Sequence, residues 1–294
     1  MKILSIGNFG TSWDGSICDE EHIAKSLEYF GHEVIRLQRG SSERYAADFT
    51  LIAQWDGYTD EFLESLPHPL VYWAFDYQAE HQPWHEKLVD KADLYLSKRL
   101  ADGYKYPNWR WLSQDFAPDF LDHPQKEIKK EYDVVFTGSY LPWAKDRIEI
   151  LKAVDKDFDL HIFTVTPNEW TNEGFANVHP AIVDQGLPEL YAKCRVVISI
   201  DHTIEAGYWS DRNAQAMACG AFVLFKYVPL SEVTFHNKLA YFHNYEQCRG
   251  ALNYFLEVDE DRDTIAFRGY EYAHEHLMVN NRVADMLTIV SEIL

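Results

Sequence analysis

An α/β protein made of two parallel sheets in tandem, each wound with helices, is the architecture this sequence predicts. Short apolar runs alternate with polar helical segments along most of the chain, and this alternation breaks at a charged stretch before resuming with the same rhythm. The length of 294 residues, 47% of them hydrophobic and 25% charged, suffices for two domains of roughly 100–200 residues each.

The elements follow in order. Lys2-Ile3-Leu4-Ser5-Ile6-Gly7 is an apolar strand running into Asn8-Phe9-Gly10, and Ile23, Leu27 and Phe30 then recur at helical spacing. Gly31-His32 stops that helix, and Glu33 to Leu37 is a second strand, so the unit is βαβ. Further strands are expected at Phe49–Ala53, Leu70–Ala74, Leu94–Leu96 and Trp109–Leu112. Pro118 to Tyr132, with Pro124 and the charged run Gln125 to Glu131, reads as a linker. The rhythm returns with strand Tyr132–Gly138, helix 146–154, strand 158–164, helix 187–193, strand Arg195–Ile200, helix 211–219 and strand Ala221–Phe225. Residues 262–294 read as two helices. The expected domains are therefore 1–122 and 131–276, both Rossmann-like, with a helix at 277–294 returning to the first. Open α/β sheets take ligands at the carboxyl ends of their strands, so a cleft between the two halves is the expected site.

Composition narrows the function. With 27 Lys and Arg against 47 Asp and Glu the net charge is −20, which repels phosphate backbones unless cations are gathered locally. A small anion can still be held by two or three cations, because short-range hydrogen bonds outweigh a screened distant field. Cys18, Cys194, Cys219 and Cys248 form no C-x-x-C pair, so reduced thiols and neither disulfides nor a zinc site are expected. No apolar stretch is long enough to span a bilayer or serve as a signal-peptide core, and a cytoplasmic protein without membrane insertion is the expectation. Asp157-Phe158-Asp159 and Asp261-Arg262-Asp263 copy a metal-binding spacing, but both fall in polar connections, and no metal is expected. Neither a P-loop nor a G-x-S-x-G motif occurs.

The most informative segment is Asp211-Arg212-Asn213-Ala214-Gln215-Ala216-Met217-Ala218-Cys219-Gly220. Small Ala214, Ala216 and Ala218 allow a helix to approach a sheet closely, and Gly220 suits the turn into the next strand. Arg212 and Gln215 lie three apart on one helix face, where a guanidinium can fork onto phosphate and an amide can meet a ribose hydroxyl. The same residues also fit a surface helix in which Arg212 pairs with Asp211 or Glu205.

This segment, with Tyr132-Asp133-Val134-Val135-Phe136-Thr137-Gly138-Ser139, Arg147 and the stretch from His276 to Arg282, resembles the CgeB-like glycosyltransferases, a spore-maturation-protein family among the group-1 GT-B enzymes. The likeness covers most of 70–294. It implies transfer of a hexosyl or pentosyl group from a nucleotide-diphosphate sugar, UDP-sugar first, to a hydroxyl, retaining and without a metal. No other cofactor is implied. The family's ribose-binding Glu falls on Gln215, which keeps a carbonyl acceptor but loses the charge. Gly138, Ser139, Lys145 and Arg147 become a diphosphate clamp, although Lys145 and Arg147 also fit an exposed basic pair. Ile182 and Val183 offer backbone groups to the nucleobase. Gly10 and Thr11, in the first βα loop, are donor or acceptor contacts, and a plain helix-entry loop explains them nearly as well. Asp76, in Trp73-Ala74-Phe75-Asp76-Tyr77, and His202, after Asp201, are candidates to orient or deprotonate the acceptor. The acceptor is expected to be a carbohydrate or small glycoside; a modified DNA base is the alternative, as is a catalytically silent nucleotide-sugar-binding protein.

Overall fold

The structure is a computed structural model that describes residues 1–53, 58–75 and 83–294; Asp76 lies outside them. It divides into two compact units, Met1–Gln114 with Val279–Leu294, and Asp115–Met278.

The first unit contains β1 (Lys2–Gly7), α1 (Asp19–Tyr29), β2 (Glu33–Gln38), β3 (Phe49–Ile52), α2 (Asp60–Glu64), β4 (Leu70–Trp73), α3 (Pro83–Lys91), β5 (Leu94–Ser97), α4 (Asp102–Lys105) and β6 (Trp109–Trp111). Its six strands are all parallel, in the order β2-β1-β3-β4-β5-β6. Every residue of β3, β4 and β5 is buried, as expected where helices cover both faces of a parallel sheet, whereas the edge strand β2 stays partly open.

The second unit contains β7 (Tyr132–Thr137), α5 (Lys145–Asp157), β8 (Leu160–Thr164), α6 (Pro167–Asn172), β9 (Val178–Pro180), α7 (Leu187–Lys193), β10 (Cys194–Ser199), α8 (Arg212–Ala218), β11 (Val223–Lys226), α9 (Ser231–Phe235), β12 (Ala240–Phe242), α10 (Tyr245–Glu257) and α11 (Asp259–Tyr272). Its sheet is again wholly parallel, ordered β12-β11-β10-β7-β8-β9. Period-two alternation splits each strand between two cores. Val134 and Phe136 pack with Ile148 and Leu151 of α5 and Leu252 of α10. Val135 packs on the other face with Leu190 of α7 and Ala214 and Met217 of α8. Ala214, Ala216 and Ala218 are fully buried, and Gly220 turns with φ +75°.

A single helical turn of π geometry, Ala273–Leu277, follows α11, and α12 (Val279–Val290) closes the chain. α12 belongs to the first unit, where Ser26 Oγ on α1 donates to Asn280 Oδ1 at 2.5 Å.

The stretch read as a linker begins as part of the second unit. Ala117 and Leu121 are fully buried in its core, and Ala117 N–H donates to Leu277 O at 2.8 Å. Apolar residues spaced four apart were hidden by the prolines and charges around them. The three-residue edge strands β9 and β12 also escape the sequence reading, being too short for a period to show.

Candidate functional site

The β7–α5 turn of the second unit is where charged chemistry is concentrated. β7 ends at Thr137, and Gly138-Ser139 lead toward α5, whose first turn carries Arg147. Phe136, fully buried, presents its ring to two guanidinium groups: Cζ of Arg212 lies 5.0 Å from the ring centroid and Cζ of Arg147 lies 5.7 Å from it. Arg212 reaches this ring from the start of α8. Its Nε donates to Thr137 O, and its Nη1 donates to Ser210 Oγ at 3.2 Å and to Ser199 Oγ at 3.5 Å.

Against these two cations stands a carboxylate. Asp201, just past β10, places Oδ1 3.8 Å from Arg212 Nη1 and accepts Ser210 N–H at 3.2 Å. Its Oδ2 is buried without a partner, and so is Nε of Arg147. Arg147 is only 4% exposed, and its side-chain hydrogen bond to Ser139 O is long at 3.4 Å. Burial, reinforced by the charge of Arg212, pushes the Arg147 guanidinium down to about 9, so it remains cationic at neutral pH. Two desolvated like charges beside one carboxylate are a standing cost to the fold, and an anion that entered the turn would relieve it.

Gly138 is required by this crowding. A Cβ there would meet Arg212 Nη2 at 2.8 Å and the Phe136 ring at 3.1 Å. With hydrogen in place of a side chain, the backbone of the turn and the guanidinium share the same space.

The structure thus brings together Gly138, Ser139, Arg147 and Arg212. Arg212 pairs with Asp201. Gln215 is part of the same helix, and its Nε2 donates to Asp211 Oδ2 at 2.7 Å. Lys145 stands exposed at the start of α5. Ile182 and Val183 sit in the loop after β9, Ile182 37% exposed, with Val183 O accepting Gly186 N–H. His202, partly buried next to Asp201, meets Tyr208 edge to face at 5.4 Å.

Gly10 and Thr11 lie in the first unit. Thr11 pairs with Ile17 as an antiparallel bridge, and Cys18 N–H donates to Gly10 O, so this loop folds back on itself as a small hairpin. Beneath it Glu20 is 2% exposed and accepts Asn8 N–H at 3.0 Å, a buried carboxyl whose pKa is raised by desolvation. The sequence reading missed Phe136 and the pairing role of Asp201. A carboxylate at a strand's carboxyl end was a usable signal for Asp201, but nothing in local sequence marks Phe136 as the surface on which both arginines converge.

Among the described residues no group of three or more His, Cys, Asp or Glu is placed to hold a metal ion, and no helix is long and apolar enough to cross a membrane. Cys194, Cys219 and Cys248 are buried free thiols.

Comparison with known proteins gives the fold its family. No curated protein matches the chain by sequence. Among solved structures, a sucrose-phosphate synthase from Thermosynechococcus elongatus superposes with a TM-score of 0.70 at 10% identity, covering 100% of this chain and 99% of that one. HepE of Anabaena, solved with UDP and glucose, gives 0.69 at 16% identity over 99% and 100%. An alpha-glucosyltransferase solved with UDP and DNA gives 0.71 at 12% identity over 99% and 100%. The architecture is that of the GT-B glycosyltransferases, with two Rossmann-like domains. Residues 127–288, which hold β7, both arginines and Asp201, match the model of the glycosyl transferase-like family. The chain belongs to the glycosyl transferase-like family.

Proposed function

We propose that the protein transfers a sugar from a nucleotide-diphosphate donor, UDP-sugar first, to a carbohydrate or small-glycoside hydroxyl. The observation that carries this reading is the pair of guanidinium groups converging on Phe136 beside Gly138-Ser139, Arg147 buried and Arg212 paired with Asp201. Two such groups can fork onto a diphosphate and neutralise the charge that grows on it as the glycosidic bond breaks. They supply what a divalent cation would otherwise supply, which supports a metal-independent reaction.

In this reading Gln215 meets the donor ribose, the backbone at Ile182 and Val183 meets the base, and Lys145 adds a cation at the rim. Residues 131–276 are the donor side. Residues 1–122 are the acceptor side, with Gly10, Thr11 and Asp76 there, and His202 of the donor side is a further candidate to act on the acceptor. Retention at the anomeric carbon and membership of the CgeB-like subgroup rest on the Arg212, Gln215 and Arg147 pattern. Free cysteines support a cytoplasmic location. A DNA base as acceptor is the competing reading, raised by the DNA-bound alpha-glucosyltransferase among the similar folds. The net charge of −20 weighs against it.

A thermal-shift series with UDP, GDP, ADP and TDP tests the donor, since a nucleotide at about 100 times its Kd stabilises by about 2.7 kcal/mol. The expected result is a shift with UDP that weakens in Arg212→Met, together with sugar release from UDP-sugar. No shift with any of the four would overturn the reading.

A further inference from the structure

A concavity lies along α5, on the flank that carries Asp146, Glu149 and Ile150. It has a volume of about 540 Å³ and opens beside the carboxyl ends of β11 and β12. Asp146, Glu149 and Ile150 share one face of α5 at i, i+3 and i+4 spacing and line it, while Arg147 between them points to the sheet. Lys226, at the end of β11, closes the inner wall with a side chain only 7% exposed and pairs with Asp146. Tyr227 and His243 form the facing wall, their rings 4.5 Å apart between centroids and tilted by 40°.

The lining selects its ligand by exclusion. Two carboxylates against one ammonium leave a negative surface, which repels phosphates and carboxylates. The Lys226 ammonium already occupies the position beside Asp146 that a metal ion would need. What remains is a mouth with charged hydrogen-bond donors and acceptors on one side and aromatic and aliphatic faces, including Ile204, on the other. An uncharged molecule carrying hydroxyls around a C–H face satisfies both sides at once.

We infer that this hollow is a binding site for an uncharged saccharide, separate from the arginine clamp. A hydroxyl pair bridges Lys226 and the carboxylates of α5, and the pyranose face rests against Tyr227 and His243. Because the two sites use opposite faces of one helical turn, a saccharide and a nucleotide bind together and do not compete.

Saturation-transfer NMR on the whole protein tests this with glucose, galactose, mannose, xylose, N-acetylglucosamine, maltose, cellobiose and lactose as probes, and glucuronate as the anionic control. At least one neutral sugar is expected to receive saturation, with and without UDP, and glucuronate none. Tyr227→Ala is expected to weaken that binding about tenfold, the size of one lost stacking face. Glu149→Gln, on the exposed side of α5, is expected to weaken it several-fold without disturbing the fold. The UDP-induced melting shift should be unchanged in both. The proposal is overturned if no neutral sugar on the panel is saturated, if both variants bind as the parent does, or if UDP displaces the sugar. Loss of the UDP shift alone would count against the nucleotide reading and leave this one standing.

Discussion

Both units bury charged and polar side chains, but the cluster around Asp102 in the first unit is complete and the arginine site of the second is not. In the first, Asp102 is 2% exposed and accepts Tyr95 Oη–H at 2.8 Å, Ser97 Oγ–H at 2.7 Å and Arg99 Nη1–H at 3.1 Å. Tyr72 and Tyr95 flank His85, Tyr72 Oη lying 3.1 Å from Nδ1, and Trp109 Nε1–H reaches Ser97 Oγ at 2.9 Å. None of the polar atoms of Tyr72, His85, Tyr95, Ser97 and Asp102 is buried without a partner. In the second unit Arg147 Nε and Asp201 Oδ2 are buried and unpartnered, where two guanidinium groups meet beside Asp201. A closed network stabilises, and an open one with surplus charge is organised for something that arrives from outside.

The strongest way to break that contrast is Asp102→Ala. It removes the shared acceptor of two buried hydroxyls and the Arg99 guanidinium in the first unit and should cost about 3–5 kcal/mol of unfolding free energy. Urea denaturation measures the loss, and UDP affinity of the remaining folded protein should not change.

Acidification attacks the same unit through His85 and His22, both lowered by burial to about 4. Above about pH 6.5 these rings are neutral whether the chain is folded or unfolded. Between about 6.5 and about 4 the unfolded chain takes protons that the folded one refuses, so stability falls as pH falls through that window. Glu20, whose raised pKa acts with the opposite sign, offsets part of it. A net loss on the order of 2–3 kcal/mol between about pH 7 and about pH 5 is expected from denaturant midpoints. His85→Phe should flatten the dependence.

Arg147→Met sharpens the comparison from the other side. Removing one of two like charges from the open site should leave the unliganded protein as stable or slightly more so. UDP affinity should drop by about 2 kcal/mol, or roughly thirtyfold, with the loss of a charge-assisted contact. Melting curves with and without UDP read both quantities, and a variant that lost stability and affinity together would show the arginine to be structural. Lys145→Ala should do least, under about 0.5 kcal/mol on either quantity, because the side chain is exposed and screened.

Much of this protein was legible in its sequence. Hydrophobic alternation is local, so β1, β7 and β10 and the helices between them could be placed, and short crossovers then required parallel sheets. Arg147, Arg212 and Gly138 stood out because phosphate chemistry needs guanidinium groups near an unobstructed turn. The run from Pro118 onward misled because its apolar residues are sparse. Ala117, just before that run, hydrogen-bonds Leu277, 160 residues later in the chain, which no local pattern reports.

Residue type and spacing by themselves determined the order of strands and helices, the tandem arrangement and the arginines most suited to an anion. Tertiary structure alone decided that both guanidinium groups meet on Phe136, that Asp201 answers Arg212, and that Lys226 closes a hollow against α5. Those outcomes depend on distances between strands far apart in the chain. Burial then sets the strength of each charge, because desolvation and pairing act through space and not along the sequence.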